Sequence, residues 1–187
     1  MELTVQRLID REEIRDVMAR YARGVDRADW DLVRETYHKD AFDDHGDYKG
    51  GVDGFIEFAQ ARAGRLPQCM HFLGNCLIEF AAEDIAVVET YFVTAHTLDA
   101  EGQRAYGAGD GSEPSQLSSY GRYVDRFERR DGNWRIAHRI VVFEATRVHV
   151  GNAPPLKPEW AQLRRDADDP IFRMRAELGL TSEDRAS

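Results

Sequence analysis

The sequence predicts an α+β fold in which helices come first and an antiparallel sheet follows. Up to about residue 64, apolar side chains recur at helical spacing. From Cys69 onward, long runs rich in β-branched and aromatic residues predict strands. The turn Asp131-Gly132-Asn133 joins two of these runs, which indicates a hairpin and hence a meander of neighbouring strands.

Three helices are predicted in the first third of the chain. The first has one apolar face, formed by Ile14, Val17, Met18, Tyr21 and Val25. Asp29 is expected to cap a second helix that ends near His38. The inner face of this helix is formed by Trp30, Val33 and Tyr37, and Asp26 is expected in the joint between the two helices. The third is expected between the Gly50-Gly51 turn and Gly64, with an inner face of Val52, Phe55, Ile56, Ala59 and Ala63.

Four strands are predicted in HFLGNCLIEF, IAVVETYFVTAHTL, SSYGRYVDRFERR and WRIAHRIVVFEATRV. Strict alternation along the last strand places Trp134, Ile136, His138 and Ile140 on one face and Ala137, Arg139, Val141 and Phe143 on the other. Both faces then carry apolar groups, although helices cover only one of them. The outer face therefore predicts a homo-oligomer.

Two segments depart from this compact plan. Residues 99–116, DAEGQRAYGAGDGSEPSQ, are rich in glycine and polar residues and predict a mobile loop or a lid. After Val150 the prolines of NAPPLKPEW lead to a helix candidate, DPIFRMRAELGL. The apolar residues of this tail are Trp160, Ile171, Phe172 and Leu178. We therefore expect one domain over residues 1–150 and a C-terminal extension, 151–187, that packs on its own or a neighbouring subunit.

Composition limits the partners and the compartment. The formal net charge of -9 predicts a surface that repels nucleic acid and anionic membranes. Two cysteines, Cys69 and Cys76, form neither a disulfide framework nor a C-x-x-C pair. Neither a signal peptide nor a membrane span is evident, so a cytoplasmic protein is expected.

Four side chains from three segments suggest acid–base chemistry. Tyr21 and Asp26 lie in YARGVDRADWD, His71 in CMHFLGN and Arg139 in WRIAHRIVVFE. A phenol, a carboxylate, an imidazole and a guanidinium are what a small enzyme needs to move protons around a carbonyl. Each also has a structural alternative: a packing tyrosine, a turn carboxylate, a satisfied core histidine and a buried salt bridge.

Metals and nucleotide cofactors are not expected. The other histidines, His38, His45, His138 and His149, lack the spacing of a metal site, and DDHGD is expected to be a polar turn. The glycines of GAGDG have no helix behind them, and no P-loop or G-x-S-x-G elbow is present.

Taken together, YARGVDRADWD, MHFLGN and GRYVDRFERRDGNWRIAHR resemble the SnoaL-like group of the NTF2-like superfamily, over roughly Leu8 to Thr146. The resemblance implies a cone, in which a curved sheet wraps around helices and encloses an apolar pocket. It is strongest to the dehydratase-type branch, which includes scytalone dehydratase, bile acid 7α-dehydratase and a hexachlorocyclohexane dehydrochlorinase. In that branch the oligomer is a trimer, with a dimer as the alternative expected here.

The resemblance also implies a site. Asp26 and His71 match an aspartate–histidine dyad, Tyr21 resembles a tyrosine that precedes the aspartate, and Arg139 matches a pocket arginine. The expected substrate-binding residues are Trp30, Phe92, His96 and Phe143. The implied activity is a cofactor-independent lyase, a dehydratase acting on a hydrophobic hydroxy-carbonyl compound of steroid or polyketide type. The alternatives are an isomerase or cyclase with the same base, or a non-catalytic binding or scaffold subunit.

Overall fold

The computed structural model describes residues 4–113, 115–151 and 156–181. The chain divides into two compact units, Met1–Asn152 and Ala153–Ser187. In the second unit, helix α5 (Pro170–Glu177) starts after Asp169, whose carboxylate caps it by accepting from the backbone N–H of Ile171. The tail's helix prediction is confirmed; its packing on a subunit stays a prediction.

The first helix, α1 (Val5–Arg27), buries the predicted apolar face, including Ile14, Val17 and Tyr21. The helix is longer than expected. It continues to Arg27 and is ended by Ala28, which adopts the left-handed conformation with φ of 55°. Asp26 therefore lies in the last turn of α1, and its predicted position in the joint between helices is wrong.

The second helix, α2 (Trp30–Glu35), starts with the predicted cap, since Asp29 Oδ1 accepts from the N–H of Leu32 at 3.1 Å. It is shorter than predicted, because Tyr37 already begins strand β1 (Tyr37–Asp44). The DDHGD motif, predicted as a polar turn, is partly strand, because β1 includes Asp43 and Asp44. Strand β2 (Lys49–Gly51) follows and contains Gly50 and Gly51, which were predicted as a turn. The third helix, α3 (Val52–Ala63), has the predicted bounds.

Six strands form one curved, unclosed sheet. The long strands are β3 (Gln68–Ala82), β4 (Ile85–Leu98), β5 (Ser115–Arg130) and β6 (Asn133–Val150). The order is β2-β1-β6-β5-β4-β3, in which β3 to β6 are an antiparallel meander and β1 is parallel to β6. The sheet is therefore mixed. The predicted α+β class is confirmed, and so is the hairpin, where Asp131 and Gly132 have φ of 52° and 81°.

A β-bulge on β6 corrects the predicted faces of that strand. The register with β5 shifts between Arg126 and Phe127, so that Ala137 is an extra residue and the alternation moves by one position. Trp134 and Ile136 are consequently buried in the core and do not belong to the outer face, as alternation had predicted.

The segment between β4 and β5 is more ordered in structure than predicted. It contains a short helix, α4 (Ala100–Ala105), capped by Asp99. The buried Gln103 amide donates to the Glu113 carbonyl at 2.8 Å and accepts from the Gly111 N–H at 3.0 Å. The segment thus folds around one side chain and contains a short helix, while its expected mobility stays a prediction. Its role as a lid stays a prediction.

Helices α1, α2 and α3 supply the main core together with the inner face of the sheet. Within the described ranges, no helix is both long and apolar enough to cross a membrane.

Candidate active site

Asp26 and His71 form a tightly paired dyad. Asp26 Oδ1 lies 2.7 Å from His71 Nδ1, and Asp26 Oδ2 accepts the backbone N–H of His71 at 3.0 Å. The side chains are 11% and 8% exposed, respectively. Both carboxylate oxygens thus bind the same residue, which fixes the position of the imidazole.

Two elements bring the pair together. Helix α1 packs along β3, so the last turn of α1 reaches the start of that strand. Alternation on β3 turns Cys69, His71 and Leu73 to the inner face of the sheet. Leu73 also lines a cleft of about 350 Å³ between α1 and the sheet.

The geometry assigns a tautomer to His71. An ionised carboxylate only accepts hydrogen bonds, so Nδ1 carries the proton that points at Asp26 Oδ1. The other ring nitrogen, Nε2, is then the basic one. An imidazole held in this way can take a proton, and the adjacent carboxylate stabilises the resulting imidazolium.

Cys69 lies against the dyad, although the sequence pattern gave it no role. Its Sγ is 3.4 Å from Asp26 Oδ1 and 3.8 Å from His71 Nδ1. One ligand atom from each of these three residues lies within 4.8 Å of the others, and carboxylate, thiolate and imidazole are all zinc ligands. The metal-free expectation rested on histidine spacing alone, and it stays a prediction.

His96 and Phe92 lie beside the dyad on β4. The rings of His96 and His71 have centroids 6.1 Å apart, at an interplanar angle of 69°. Phe92 is buried on the same face of β4 and meets Phe143 of β6 edge-on, at 6.2 Å. Three of the four expected substrate-binding residues are therefore on the inner face of the sheet.

The fourth, Trp30, is at the start of α2. It packs half-buried against the core and lines a surface depression with Asp29, Arg34 and Asp53. The contacts of Trp30 in the described part of the chain do not join it to Asp26 or His71.

Arg139 is fully buried in a separate cluster. Its Nε and Nη2 donate to the two oxygens of Asp125 at 2.8 and 2.7 Å, a bidentate ion pair with 0% exposure on both sides. The guanidinium carbon lies 4.2 Å from the ring centroids of both Tyr21 and Tyr123. Nη1 donates to the hydroxyl of Tyr37 at 3.3 Å.

The ionisable groups of this cluster are buried away from water, and burial changes their pKa values. Burial alone would lower the pKa of Arg139, but the Asp125 carboxylate holds it well above its ordinary value. Burial raises the pKa values of Tyr21, Tyr37 and Tyr123. The contacts of Tyr21 and Arg139 join them to each other and to Tyr37, Tyr123 and Asp125.

A second buried carboxylate was missed by sequence reasoning, which read DDHGD as a polar turn. Asp43 has 0% exposure and accepts from the Tyr37 hydroxyl at 2.6 Å. His45 Nδ1 is 3.0 Å from its other oxygen. This group extends the Arg139 cluster along β1 and explains why a strand of such polar composition lies inside the fold.

Comparison with protein families matches the SnoaL-like domain to residues 6–140. The chain belongs to the SnoaL-like domain family. The resemblance read from its sequence is thus confirmed. No curated protein matches the chain.

Solved structures of the same fold support the assignment. A candidate scytalone dehydratase from Novosphingobium aromaticivorans is 20% identical, with a TM-score of 0.66, and the match covers 82% of this SnoaL-like chain and 97% of that one. Hexachlorocyclohexane dehydrochlorinase LinA-type3 from Novosphingobium barchaimii is 19% identical, with a TM-score of 0.67 and coverage of 80% and 97%. Kfla4162 from Kribbella flavida is 20% identical, with a TM-score of 0.63 and coverage of 74% and 93%. At these identities the likeness establishes the fold.

Proposed function

We propose that the protein is a cofactor-independent lyase, a dehydratase, in which His71 is the general base. The observation that carries this proposal is the 2.7 Å contact between Asp26 Oδ1 and His71 Nδ1 on the inner face of a SnoaL-like sheet. Two similar structures are named for a scytalone dehydratase and a dehydrochlorinase. Both names denote eliminations, which require a base for a proton on carbon.

In the proposed reaction, His71 Nε2 takes the proton from the carbon next to a carbonyl group. The C–H electron pair becomes the enolate, which then re-forms the carbonyl and a C=C bond as the β-hydroxyl leaves. The departing oxygen takes a proton and leaves as water, so that the imidazole returns to its neutral form. Asp26 holds the ring and stabilises the transient imidazolium.

For Arg139 and Tyr21 we propose a supporting role in place of direct contact with the substrate. The guanidinium already binds both oxygens of Asp125, and the Tyr21 ring covers it at 4.2 Å. A substrate oxyanion could bind Arg139 only by displacing Asp125 or sharing the guanidinium with it. Either would break hydrogen bonds of a fully buried ion pair. The pair instead fixes β5 and β6 against α1, whose last turn carries Asp26.

The proposed substrate is a hydrophobic hydroxy-carbonyl compound of steroid or polyketide size. Apolar side chains on the inner face extend from the dyad toward β6: Leu73 lies on the same strand as His71, Phe92 on β4 and Phe143 on β6. Such a surface suits a fused-ring skeleton better than a small polar acid. An isomerase or cyclase would use the same base and the same surface, and differs only in the product.

Proton exchange tests the base without knowledge of the true substrate. We expect the protein to exchange the α-protons of 1-tetralone in D2O, followed by NMR, and to release water from fused-ring β-hydroxy ketones with a gain of enone absorbance. His71→Gln should lower the exchange rate by roughly 10²–10⁴-fold. Asp26→Asn should lower it by a similar order, because the ring loses its orienting acceptor. EDTA should have no effect.

His138→Gln is the matched control, since this histidine lies on the opposite face of β6 and should leave the rate unchanged. Exchange that persists in His71→Gln would place the base elsewhere. Conversion of a β,γ-unsaturated ketone into its conjugated enone, without release of water from the β-hydroxy ketones, would identify an isomerase. The absence of exchange and of turnover for every ketone tried would favour the non-catalytic subunit.

A further inference from the structure

Thr94 stands apart from other buried hydroxyl groups of the protein. The hydroxyls of Thr36 and Ser115 donate to backbone carbonyls at 2.6 and 3.1 Å, and that of Thr90 to Cys76 Sγ at 3.5 Å. Thr94 is 4% exposed, yet its Oγ1 has no hydrogen-bond partner within the residues that the structure describes. Buried polar groups are almost always paired, so this hydroxyl needs an explanation.

The strand register places Thr94 beside the base. Across β3, β4, β5 and β6, His71 pairs with Thr94, Thr94 with Ser119, and Ser119 with Thr146. Residues that are directly paired share a face of the sheet and lie about 4.5–5.5 Å apart. One row of an imidazole and three hydroxyls therefore crosses the inner face, with His71 at its end.

Apolar residues flank this polar row on either side. One neighbouring row runs from Leu73 through Phe92 and Gly121 to Phe143. The other row contains Cys69, His96, Leu117 and Val148. A flat apolar ligand laid over these rows would meet hydroxyl groups along the polar row and, outside it, the imidazole of His96 and the thiol of Cys69.

The inner face also opens toward β6. Thr94 and Phe92 on β4 are buried, whereas Thr146, Phe143 and Val148 on β6 are exposed. A ligand that enters over β6 and reaches His71 passes Ser119 and Thr94 on the way. The unpaired hydroxyl thus lies on the path to the base.

We infer that Thr94 determines substrate specificity, by hydrogen bonding to a second oxygen of the substrate one strand away from the carbon that His71 deprotonates. The inference rests on the proposed function, because it assumes that the substrate reacts at His71, the residue at one end of the row. It narrows the substrate class to compounds with an oxygen function about 4.8 Å, one strand separation, from the carbon that loses its proton. In a ligand that does not react, a second oxygen takes the place of that carbon at His71. A ligand with one oxygen would leave the Thr94 hydroxyl unpaired and bind less well.

A matched pair of ligands tests the inference by calorimetry. 1,3-Dihydroxynaphthalene carries two oxygens in 1,3 relation, and 1-naphthol carries one. We expect the wild-type protein to bind the diol roughly tenfold more tightly than the naphthol, as one added hydrogen bond predicts. In Thr94→Val this ratio should fall to about one, while the melting temperature rises by about 2 °C because an unpaired buried hydroxyl is removed. Thr94→Ser should keep the ratio.

Thr97→Val is the control, since Thr97 lies on the same strand but the other face, where its hydroxyl contacts Gln68. Equal ratios in wild type and Thr94→Val, or no binding of either ligand, would overturn the inference. Proton exchange by the wild-type protein, measured in parallel, separates the two proposals. If exchange is normal and the ratio of the two ligand affinities is the same in wild type and Thr94→Val, only the role of Thr94 fails. Absence of exchange in the wild-type protein would contradict the proposed base as well.

Discussion

At the scale of single residues, the dyad depends on two hydrogen bonds that Asp26 makes to His71. One oxygen binds the ring and the other binds the backbone N–H of the same residue. The carboxylate therefore positions the strand and the imidazole together, and a shift of one would carry the other with it. This coupling differs from a surface ion pair, in which two flexible side chains meet in solvent and contribute little.

Removal of the Arg139 side chain should be costly to folding. In Arg139→Met, Asp125 would be left buried without its bidentate partner, which destabilises a protein by about 3–5 kcal/mol. Arg126→Met is the control, because this half-exposed side chain pairs with Glu128 at the surface and should cost less than about 1 kcal/mol. Urea unfolding measures both. A stable Arg139→Met variant that has lost α-proton exchange would instead support the oxyanion role that the resemblance implied.

Three of the seven tyrosines should resist alkaline titration. Burial raises the pKa values of Tyr21, Tyr37 and Tyr123 above the ordinary value of 10.0. The native state then binds protons that the unfolded state loses, so this contribution to stability is complete below pH 10 and declines as the pH rises above it. Absorbance at 295 nm should show these three rings ionising together with unfolding. A native protein in which all seven ionise near pH 10 would contradict the buried cluster.

At the scale of elements, irregularities in the long strands shape the site. Strands β5 and β6 shift register twice, between Tyr120 and Gly121 and between Arg126 and Phe127. Each shift bends the strand and increases its twist. The bend near Gly121 lies in the row that carries Phe92 and Phe143, and it brings the two rings together across β5. A side chain at the intervening position would occupy the space between them.

Gly121→Ala should therefore destabilise the sheet. A Cβ at this position would lie 2.2 Å from the Val142 carbonyl oxygen and 2.9 Å from the Phe92 ring, distances that require the backbone to move. We expect a loss of about 1–3 kcal/mol in urea unfolding. Gly74→Ala on β3 is the control, because its Cβ would meet only ordinary contacts at 3.7 Å or more. Equal stabilities of the two variants would show that the sheet tolerates a side chain at the bend.

At the scale of the whole molecule, the outer face of the sheet still predicts an oligomer, but through other residues than the sequence suggested. Trp134 and Ile136 belong to the core, whereas Ile140 is exposed as expected. The exposed apolar residues of that face include Phe42, Met70, Phe72, Leu77, Ile85, Val87, Tyr91 and Ile140. They lie in two groups, one on the adjacent strands β1 and β6 and a larger one on the adjacent strands β4 and β3, with β5 between the groups. The group on β3 and β4 is the candidate interface, since clustered exposed apolar side chains mark interaction sites.

We expect a homo-oligomer, a trimer or alternatively a dimer, that buries this outer face. Leu77→Glu should shift the assembly toward monomer, since each interface would then bury an unpaired charge. Val5→Glu is the control, because Val5 is an apolar residue at the start of α1, outside the sheet, and is more exposed than Leu77 (75% against 57%). Light scattering over a wide concentration range measures both. A wild-type protein that remains monomeric throughout would contradict the prediction.

The sequence by itself determined the elements whose signal is local. Periodicity located α1, α3 and the four long strands, and Asp131-Gly132 located the hairpin, because helix and strand spacing and turn chemistry act over a few residues. The pairing of Asp26 with His71, 45 residues apart, came from family resemblance, since no local pattern encodes it.

Only the tertiary structure decided what depends on partners distant in the chain. Tyr37 joins a strand because β6 offers it a parallel edge. Ala137 is bulged because β5 sets the register, and that single extra residue moves Trp134 from the surface to the core. The long-range contact between Arg139 and Asp125, on neighbouring strands, likewise could not be located from the sequence, and it is the basis of the supporting role proposed for Arg139. Burial and pairing are properties of the assembled fold, and alternation along one strand cannot supply them.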